Sequence, residues 1–237
     1  MNQKNAKAVI VALDFSNAQT AIEFTRKFDK PIFVKIGMEL FYAAGPSIVD
    51  EIKKQGHKVF LDLKFHDIPN TVAGATRSCL ELGADIMNLH AGGGSKMMRA
   101  AAEEIKNSQI PDKPLLIAVT QLTSTDQQML KAELLIDIPM EDTVLAYAEN
   151  AKNSGLNGVV CSALEVRRIK DKLGEDFITV TPGIRPADGE IGDQARVVTP
   201  QMAREIGSDY IVVGRPITKA IDPVAAYHQI SKDFLGE

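Results

Sequence analysis

The sequence lacks the features by which several classes of protein are recognised. Its two cysteines, Cys79 and Cys161, have no metal-binding spacing and do not suit a disulfide scaffold, so they favour a reducing compartment. There is no run of Lys or Arg, and a net charge of −4 argues against general binding of nucleic acid or anionic membranes. Any bound anion must therefore be held by a few focused cations.

Long apolar segments are also missing. Ala8–Leu13 and Leu115–Val119 are too short to cross a bilayer. Met1–Lys7 is polar and lacks the apolar core of a signal peptide. With 45% hydrophobic and 24% charged residues, the composition is that of a globular protein. We expect a soluble, cytoplasmic protein with no membrane partner, in which residues 1–237 form one domain because no linker divides them.

Eight short apolar runs recur along the chain. Runs of five or six residues that are apolar almost throughout are typical of strands buried on both faces of a parallel sheet. The predicted strands are Ala8–Leu13, Ile32–Ile36, Lys58–Leu63, Ala84–Leu89, Leu115–Thr120, Asn157–Cys161, Phe177–Thr181 and Asp209–Val213.

Amphipathic patterns and capping residues predict helices between these strands. Apolar residues recur at helical spacing in Ser47–Gln55, Thr71–Leu82, Lys96–Asn107 and Glu141–Asn153. Capping boxes are predicted at Ser16 with Gln19 and Ser162 with Glu165, and N-caps before a proline at Thr199 and Asp222. The glycines predicted to end helices are Gly56, Gly83, Gly155 and Gly207.

Eight strand–helix units in 237 residues predict an α/β fold, the closed (β/α)8 TIM barrel. A doubly wound open sheet is the alternative. The connection over residues 182–198 is rich in Gly, Asp and Arg. Because structureless loops longer than about 12–15 residues are usually functional, we predict a mobile lid there, with a tolerated insertion as the alternative.

Polar side chains lie at the carboxyl ends of most of the predicted strands. Barrels carry their chemistry at the carboxyl ends of the strands, and a strand buried on both faces has no structural need for a charge at its tip. We therefore predict one shared site. The residues at these ends include Asp14, Lys35, Asp62, Lys64, His90, Thr123, Ser124, Ser162, Arg185 and Arg215.

The densest charged group is Asp62, Lys64 and Asp67. Side chains alternate along a strand, so Asp62 and Lys64 should both face the barrel mouth, while Asp67 lies on the loop beyond. Lys35 should approach Asp62 from the neighbouring strand, with Asp14 one strand further round. A surface ion pair worth ~0–1 kcal/mol is the alternative. In a partly closed site, however, a flanking carboxylate favours the ammonium form and keeps a proton available.

The other half of the mouth suits an anion. Barrels often bind phosphate with the loops after strands seven and eight, here Thr181–Arg185 and Gly214–Thr218. Gly183 and Gly214 allow close backbone approach, and Arg215 adds a planar fork of donors. By contrast, Ala91–Ser95 lacks the patterns of nucleotide-binding loops and is predicted to be a tight turn into a helix.

Few other residues point to chemistry. The four histidines, His57, His66, His90 and His228, have no metal-binding spacing, so no metal site is predicted, and only His90 is placed where it could touch the mouth. Cys79 and Cys161 are interpreted as core residues.

Together these motifs resemble the orotidine 5′-phosphate decarboxylase family over essentially the whole chain. Leu61–Thr71 is similar to its D-x-K-x-x-D signature with the D-I-P-N-T extension. Thr181–Arg185, Gln194 and Val213–Pro216 resemble its phosphate elements, and Gln121–Ser124 its strand-five motif. The resemblance implies a cofactor-independent decarboxylation of orotidine 5′-monophosphate (OMP) to uridine 5′-monophosphate (UMP) and CO2 in pyrimidine biosynthesis, without a metal.

The resemblance also implies roles for single residues. Lys64 is implied to protonate C6 of the pyrimidine, Asp62 to lie beside the leaving carboxylate, and Lys35 to complete the charge array near the ribose. A homodimer with shared sites is implied, in which Asp67, Ile68 and Thr71 reach into the partner's site. The other implied substrate-binding residues are Asp14 at the ribose, Thr123 and Ser124 at the pyrimidine, and Pro182, Arg185, Gln194, Gly214 and Arg215 at the phosphate end.

Two alternatives stay open at this point. A sugar-phosphate decarboxylase or epimerase on the same barrel would need a metal ligand set, commonly an extra acid near the signature, whereas Ile68–Thr71 contains none. A non-catalytic nucleotide-phosphate binding protein would not need the cluster of Asp62, Lys64 and Asp67.

Overall fold

The computed structural model describes residues 7–186 and 198–236. In this part of the chain, eight parallel strands form a closed barrel in sequence order, because the last strand pairs with the first. The predicted TIM barrel is therefore confirmed, and the open sheet is wrong. The strands are β1 (Ala8–Ala12), β2 (Phe33–Gly37), β3 (Lys58–Phe65), β4 (Ile86–His90), β5 (Leu115–Val119), β6 (Gly158–Val160), β7 (Ile178–Thr181) and β8 (Tyr210–Val213).

Helices connect and surround the strands within the described ranges. They are α1 (Ala18–Thr25), α2 (Met38–Ala44), α3 (Ser47–Lys54), α4 (Pro69–Leu80), α5 (Gly94–Asn107), α6 (Gln127–Ala132), α7 (Met140–Asn153), α8 (Val166–Leu173), α9 (Pro200–Ile206), α10 (Arg215–Thr218) and α11 (Pro223–Leu235). Short 3-10 turns at Ala91–Gly93 and Ala163–Glu165 precede α5 and α8. Helix α4 begins two residues before the predicted Thr71, because Pro69 has a φ suited to a first helical turn.

The strands are apolar on both faces because each face borders its own core. Val9 and Val11 of β1 pack toward the helices, whereas Ile10 and Ala12 point into the barrel. Inside the barrel, aromatic rings from β2 and β8 meet edge to face, with Phe33 and Tyr210 centred 5.9 Å apart. Side chains thus fill the interior of the barrel, which leaves the ends of the strands as the place for a site.

The helix caps largely follow the sequence, with one correction. Ser162 and Glu165 form the predicted capping box, and Thr199 and Asp222 cap α9 and α11. The box predicted at Ser16 and Gln19 is wrong. Helix α1 is capped one residue later by Asn17, whose Oδ1 accepts the Thr20 N–H at 2.9 Å. Asparagine caps as well as serine does, so the pattern alone did not choose between neighbours.

The other sequence-based features agree with the structure. The four glycines predicted to end helices all have positive φ. Cys79 and Cys161 are buried and unpaired, as expected for core residues, and burial raises the pKa of Cys79 to about 11. Within residues 7–186 and 198–236, none of the helices is both long and apolar enough to cross a membrane.

Candidate active site

Four charged side chains meet in one chain of contacts at the ends of β1, β2 and β3. The Nζ of Lys64 lies 2.6 Å from Oδ1 of Asp62. The other oxygen of Asp62, Oδ2, lies 3.2 Å from Nζ of Lys35, which in turn lies 3.3 Å from Oδ1 of Asp14. Asp62 is 7% exposed, so its carboxylate is held between two ammonium groups largely away from water.

These contacts maintain the charges of the two central groups. Burial opposes ionisation of Asp62, but the charges of Lys35 and Lys64 and hydrogen bonds from Lys64 and Asn88 keep its pKa below the ordinary value. Burial likewise opposes the charge of Lys35, yet Asp62 and Asp14 together raise its pKa. At neutral pH, therefore, Asp62 is a carboxylate and Lys35 an ammonium.

A break in strand register positions Lys64. On the β3–β4 pair, Leu61 lies opposite Met87 and Phe65 opposite Leu89, so three residues of β3 face the single residue Asn88. Lys64 adopts a positive φ of 52° within this bulge. A side-chain-bearing residue in this region costs about 1–3 kcal/mol, and such conformations cluster at functional sites. The bulge also extends β3 to Phe65, beyond the predicted end at Leu63.

Asn88 is a site residue that the sequence analysis missed. It is 1% exposed, accepts the backbone N–H of Lys64 at 2.8 Å and donates to Oδ1 of Asp62 at 2.6 Å. The available signal was a lone amide inside the apolar run Ile86–Leu89, since a buried amide requires partners.

A cavity of about 270 Å³ lies beside the charges. Its lining combines apolar residues such as Phe60, Val119 and Val212 with polar side chains from β2, β3 and the segment after β5. Such a mixture of apolar walls with a few convergent polar groups is typical of small-molecule sites. The predicted site residues that the structure brings to this cavity are Lys35, Asp62, Lys64, Thr123, Ser124 and Pro182.

The predicted anion-binding residues follow the neighbouring strands β7 and β8. Gly183 has a φ of 82°, which favours glycine in the turn that leads to Arg185. Arg185 is 7% exposed, and its Nε has no hydrogen-bond partner among the residues that the structure describes. A buried donor of this kind suits an anionic ligand. Gly214 is the N-cap of α10 and Arg215 its first residue. Gln194 and most of the predicted lid lie outside the described residues.

Three of the predicted residues that do not line the cavity come shortly after β3. Asp67, Ile68 and Thr71 lie on the loop after β3 and the first turn of α4, and all are exposed, Ile68 by 66%. The carboxylate of Asp67 accepts the N–H of Ile68 at 2.6 Å and has no ion-pair partner within the described ranges. These side chains are therefore available to a neighbouring molecule.

Two of the histidines, His66 and His90, lie close together after β3 and at the end of β4. The rings of His66 and His90 are centred 5.6 Å apart. Burial, then electrostatic interactions with His66 and Lys64, lower the pKa of His90, against the opposing effect of Asp62. Over the described part of the chain, no group of three His, Cys, Asp or Glu side chains is arranged to hold a metal ion.

Comparisons with known proteins agree with the geometry. Residues 7–230 match the model of the family described as "Orotidine 5′-phosphate decarboxylase / HUMPS family". The chain is 52% identical to an orotidine 5′-phosphate decarboxylase of Bacillus anthracis, with 98% of each chain covered. It is 45% identical to a solved orotidine 5′-phosphate decarboxylase of Lactobacillus acidophilus, with a TM-score of 0.87 and 96% and 99% of the two chains covered.

A more distant structure supports the fold alone. The orotidine 5′-monophosphate decarboxylase of Methanocaldococcus jannaschii, solved with the inhibitor BMP, is 21% identical, with a TM-score of 0.77 and 97% and 99% coverage of the two chains.

Proposed function

Because this chain belongs to the orotidine 5′-phosphate decarboxylase family, we propose that the contacts among Lys64, Asp62 and Lys35 carry out the decarboxylation of that family. The chain is a lyase that converts OMP to UMP and CO2 in pyrimidine biosynthesis. The observation that carries the mechanism is the 2.6 Å contact between Nζ of Lys64 and the buried carboxylate of Asp62.

The reaction demands a cation at the reacting carbon. When the bond from C6 to the carboxylate breaks, the electron pair stays in the plane of the ring, where the π-system cannot delocalise it. Lys64 places an ammonium beside this developing charge and then transfers a proton to C6, which gives UMP and a neutral amine that regains a proton from water. A charge held in place before the reaction is usually the largest catalytic contribution. The proposed mechanism uses no cofactor.

Asp62 and Lys35 support this step. The carboxylate of Asp62 holds the ammonium of Lys64 in place and is proposed to lie beside the leaving carboxylate, where its charge raises the energy of bound substrate. Lys35 holds the second oxygen of Asp62 and extends the array toward Asp14, which we assign to the ribose hydroxyls. Each of these four charges therefore has a partner of opposite sign within the array.

Substrate binding is assigned to the rest of the mouth. Thr123 and Ser124 line the cavity and are proposed to contact the pyrimidine. The phosphate is assigned to Pro182, Arg185, Gln194, Gly214 and Arg215, and closure of residues 182–198 over it is proposed to exclude water. Phosphate binding energy far from C6 can thus be used to orient the ring.

We also propose a homodimer of one-domain subunits in the cytoplasm. The exposed Asp67, Ile68 and Thr71 are proposed to enter the partner's site, where Asp67 adds a second carboxylate beside Lys64. In favour of this assignment, Asp67 has no cation partner within the described residues of its own subunit, and Ile68 exposes a large apolar side chain.

An ultraviolet assay of OMP consumption, with and without a chelator, tests the reaction. We expect chelator-resistant activity, whereas activity that disappears with the chelator would favour the metal-dependent sugar-phosphate alternative. For the mechanism, Lys64→Ala should lower kcat by at least about a thousandfold, since proton transfer and charge stabilisation are both lost. Lys54→Ala, which removes an exposed ammonium on α3, is the control.

Calorimetric titration with UMP completes the test. The Lys64→Ala variant should bind UMP within a few-fold of wild type, because the phosphate and ribose contacts remain. Residual decarboxylation near the wild-type rate in this variant would contradict the assigned role.

A further inference from the structure

We propose that Asn88 is a positioning residue, which holds Lys64 in its left-handed backbone conformation and fixes the carboxylate of Asp62. This inference rests on the proposed function, because it concerns how the charge array of the same site is held. Asn88 does not line the cavity and has no proposed contact with substrate.

The bulge creates the need for such a residue. In a regular parallel pair, alternate N–H groups of β3 would donate to carbonyl groups of β4. The register changes between Leu61 and Phe65, and the backbone of Lys64 leaves this ladder. Its N–H is nevertheless paired, because Oδ1 of Asn88 accepts it at 2.8 Å. A side chain thus replaces the missing ladder bond at the residue whose ammonium does the chemistry.

The amide nitrogen of Asn88 binds the carboxylate of Asp62. Nδ2 of Asn88 donates to Oδ1 of Asp62 at 2.6 Å, and the same oxygen receives the ammonium of Lys64 at 2.6 Å. One planar group therefore ties the backbone of Lys64 to the carboxylate that its own side chain contacts. The direction of the amide follows from chemistry, since only its oxygen can accept the N–H and only its nitrogen can donate to a carboxylate.

The location of Asn88 makes this arrangement rigid. Its side chain is 1% exposed and shares the interior face of β4 with Ile86, so water does not compete for either bond. Asn88 itself stays in register with Ile117 of β5, which leaves the bulge entirely on the β3 side. The regularly paired strand β4 thus carries the side chain that orients the irregular segment of β3.

The side chain must both accept and donate, which limits what can replace it. Asn88→Asp keeps the shape and still accepts the N–H of Lys64, but it sets a carboxylate oxygen against Asp62, which then turns away or shares a proton. Asn88→Ser is too short to reach both partners. In each case Lys64 and Asp62 should lose their relative placement while the cavity and the phosphate residues remain.

The test compares kcat and KM for OMP in wild type, Asn88→Asp, Asn88→Ser and Asn157→Asp. Asn157 is a matched control, because its Oδ1 also accepts a strand N–H, that of Leu116 at 2.8 Å, at the opposite end of the barrel. Rates are expressed per mole of UMP-binding sites, so that loss of folded protein does not count as loss of rate.

We expect kcat to fall about 10–100-fold in both Asn88 variants, the effect of a small misplacement at a reacting centre, with KM within about threefold. Asn157→Asp should keep the wild-type kcat. The proposal is overturned if either Asn88 variant, once folded, retains kcat within about threefold of wild type. It is also overturned if the variants raise KM and leave kcat unchanged. A wild-type enzyme without OMP decarboxylase activity would instead overturn the proposed function.

Discussion

Lys35 and Asp62 form an ion pair of 3.2 Å across neighbouring strands, although the register places Lys35 opposite Phe60 and Asp62 opposite Gly37. The lysine therefore reaches diagonally, through the space beside residue 37. A Cβ at that position would lie 3.1 Å from Nζ of Lys35 and 3.8 Å from Oδ1 of Asp14. The absent side chain of Gly37 thus leaves room for the ammonium group that holds the second oxygen of Asp62.

Gly37→Ala should consequently lower kcat by about 3–10-fold, because the added methyl shifts the Lys35 head by a few tenths of an ångström. The φ of −88° at Gly37 is open to alanine, so we expect little change in the melting temperature. Gly74→Ala within α4, where a Cβ meets nothing within 4 Å, serves as the control. An unchanged kcat in Gly37→Ala would show that Lys35 accommodates the methyl without moving away from Asp62.

Arg215→Ala should reduce kcat/KM by about a hundredfold, although Arg215 is assigned to the phosphate and not to C6. Loss of a charge-assisted bidentate contact costs about 3 kcal/mol, and remote binding energy supports the reacting end. Steady-state kinetics with OMP measure the effect. Arg167→Ala is the control, since this exposed arginine pairs with Asp171 along one helix. A wild-type value of kcat/KM in Arg215→Ala would contradict the assignment of Arg215 to the phosphate.

The shared site predicts complementation between two inactive variants. In a dimer of one Lys64→Ala and one Asp67→Ala subunit, one site lacks both residues and the other retains both. Refolding the two variants together in equal amounts makes about half of the dimers mixed, so activity should recover to about a quarter of wild type.

The control for this experiment is a mixture of Lys64→Ala with the double variant that also carries Asp67→Ala. No site in that mixture has Lys64, so no recovery is expected. If the first mixture is no more active than its two parents, Asp67 acts within its own subunit or not at all.

The free energy of unfolding should decrease at acidic pH because His57 is buried. His57 is 2% exposed, and its Nδ1 accepts the N–H of Ile32 at 3.1 Å, which requires that nitrogen to be unprotonated. Burial lowers the pKa of His57, against a hydrogen bond to the backbone of Thr25. Below the unfolded pKa of about 6.5, the unfolded chain takes up the proton first, so the stability present above that pH is progressively lost.

Urea unfolding at several pH values between about 7.5 and 5.5 measures this effect. The free energy of unfolding should decrease with falling pH, and His57→Gln should remove up to one proton from the slope, at most about 1.4 kcal/mol per pH unit. The variant retains an acceptor for Ile32 but cannot titrate. Parallel pH profiles for wild type and His57→Gln would assign the acid sensitivity to other groups.

Local chemistry made much of the barrel predictable. Eight apolar runs of strand length, separated by caps and helix-ending glycines, leave few ways to bury both faces of each strand. The errors were local, as at Ser16, where two neighbouring residues could both cap a helix and only the packed chain selected Asn17.

The sequence alone determined that Asp62 and Lys64 lie two residues apart at the end of one strand, so that their side chains come within reach of each other in any fold that keeps this strand. Only the tertiary structure decided how they are held. Asn88 belongs to a different strand, and its contact with Lys64 depends on a register break between β3 and β4 that no local pattern records. The order of residues along one strand is a property of the chain itself. The residues that face each other across two strands depend on how all eight strands pack together.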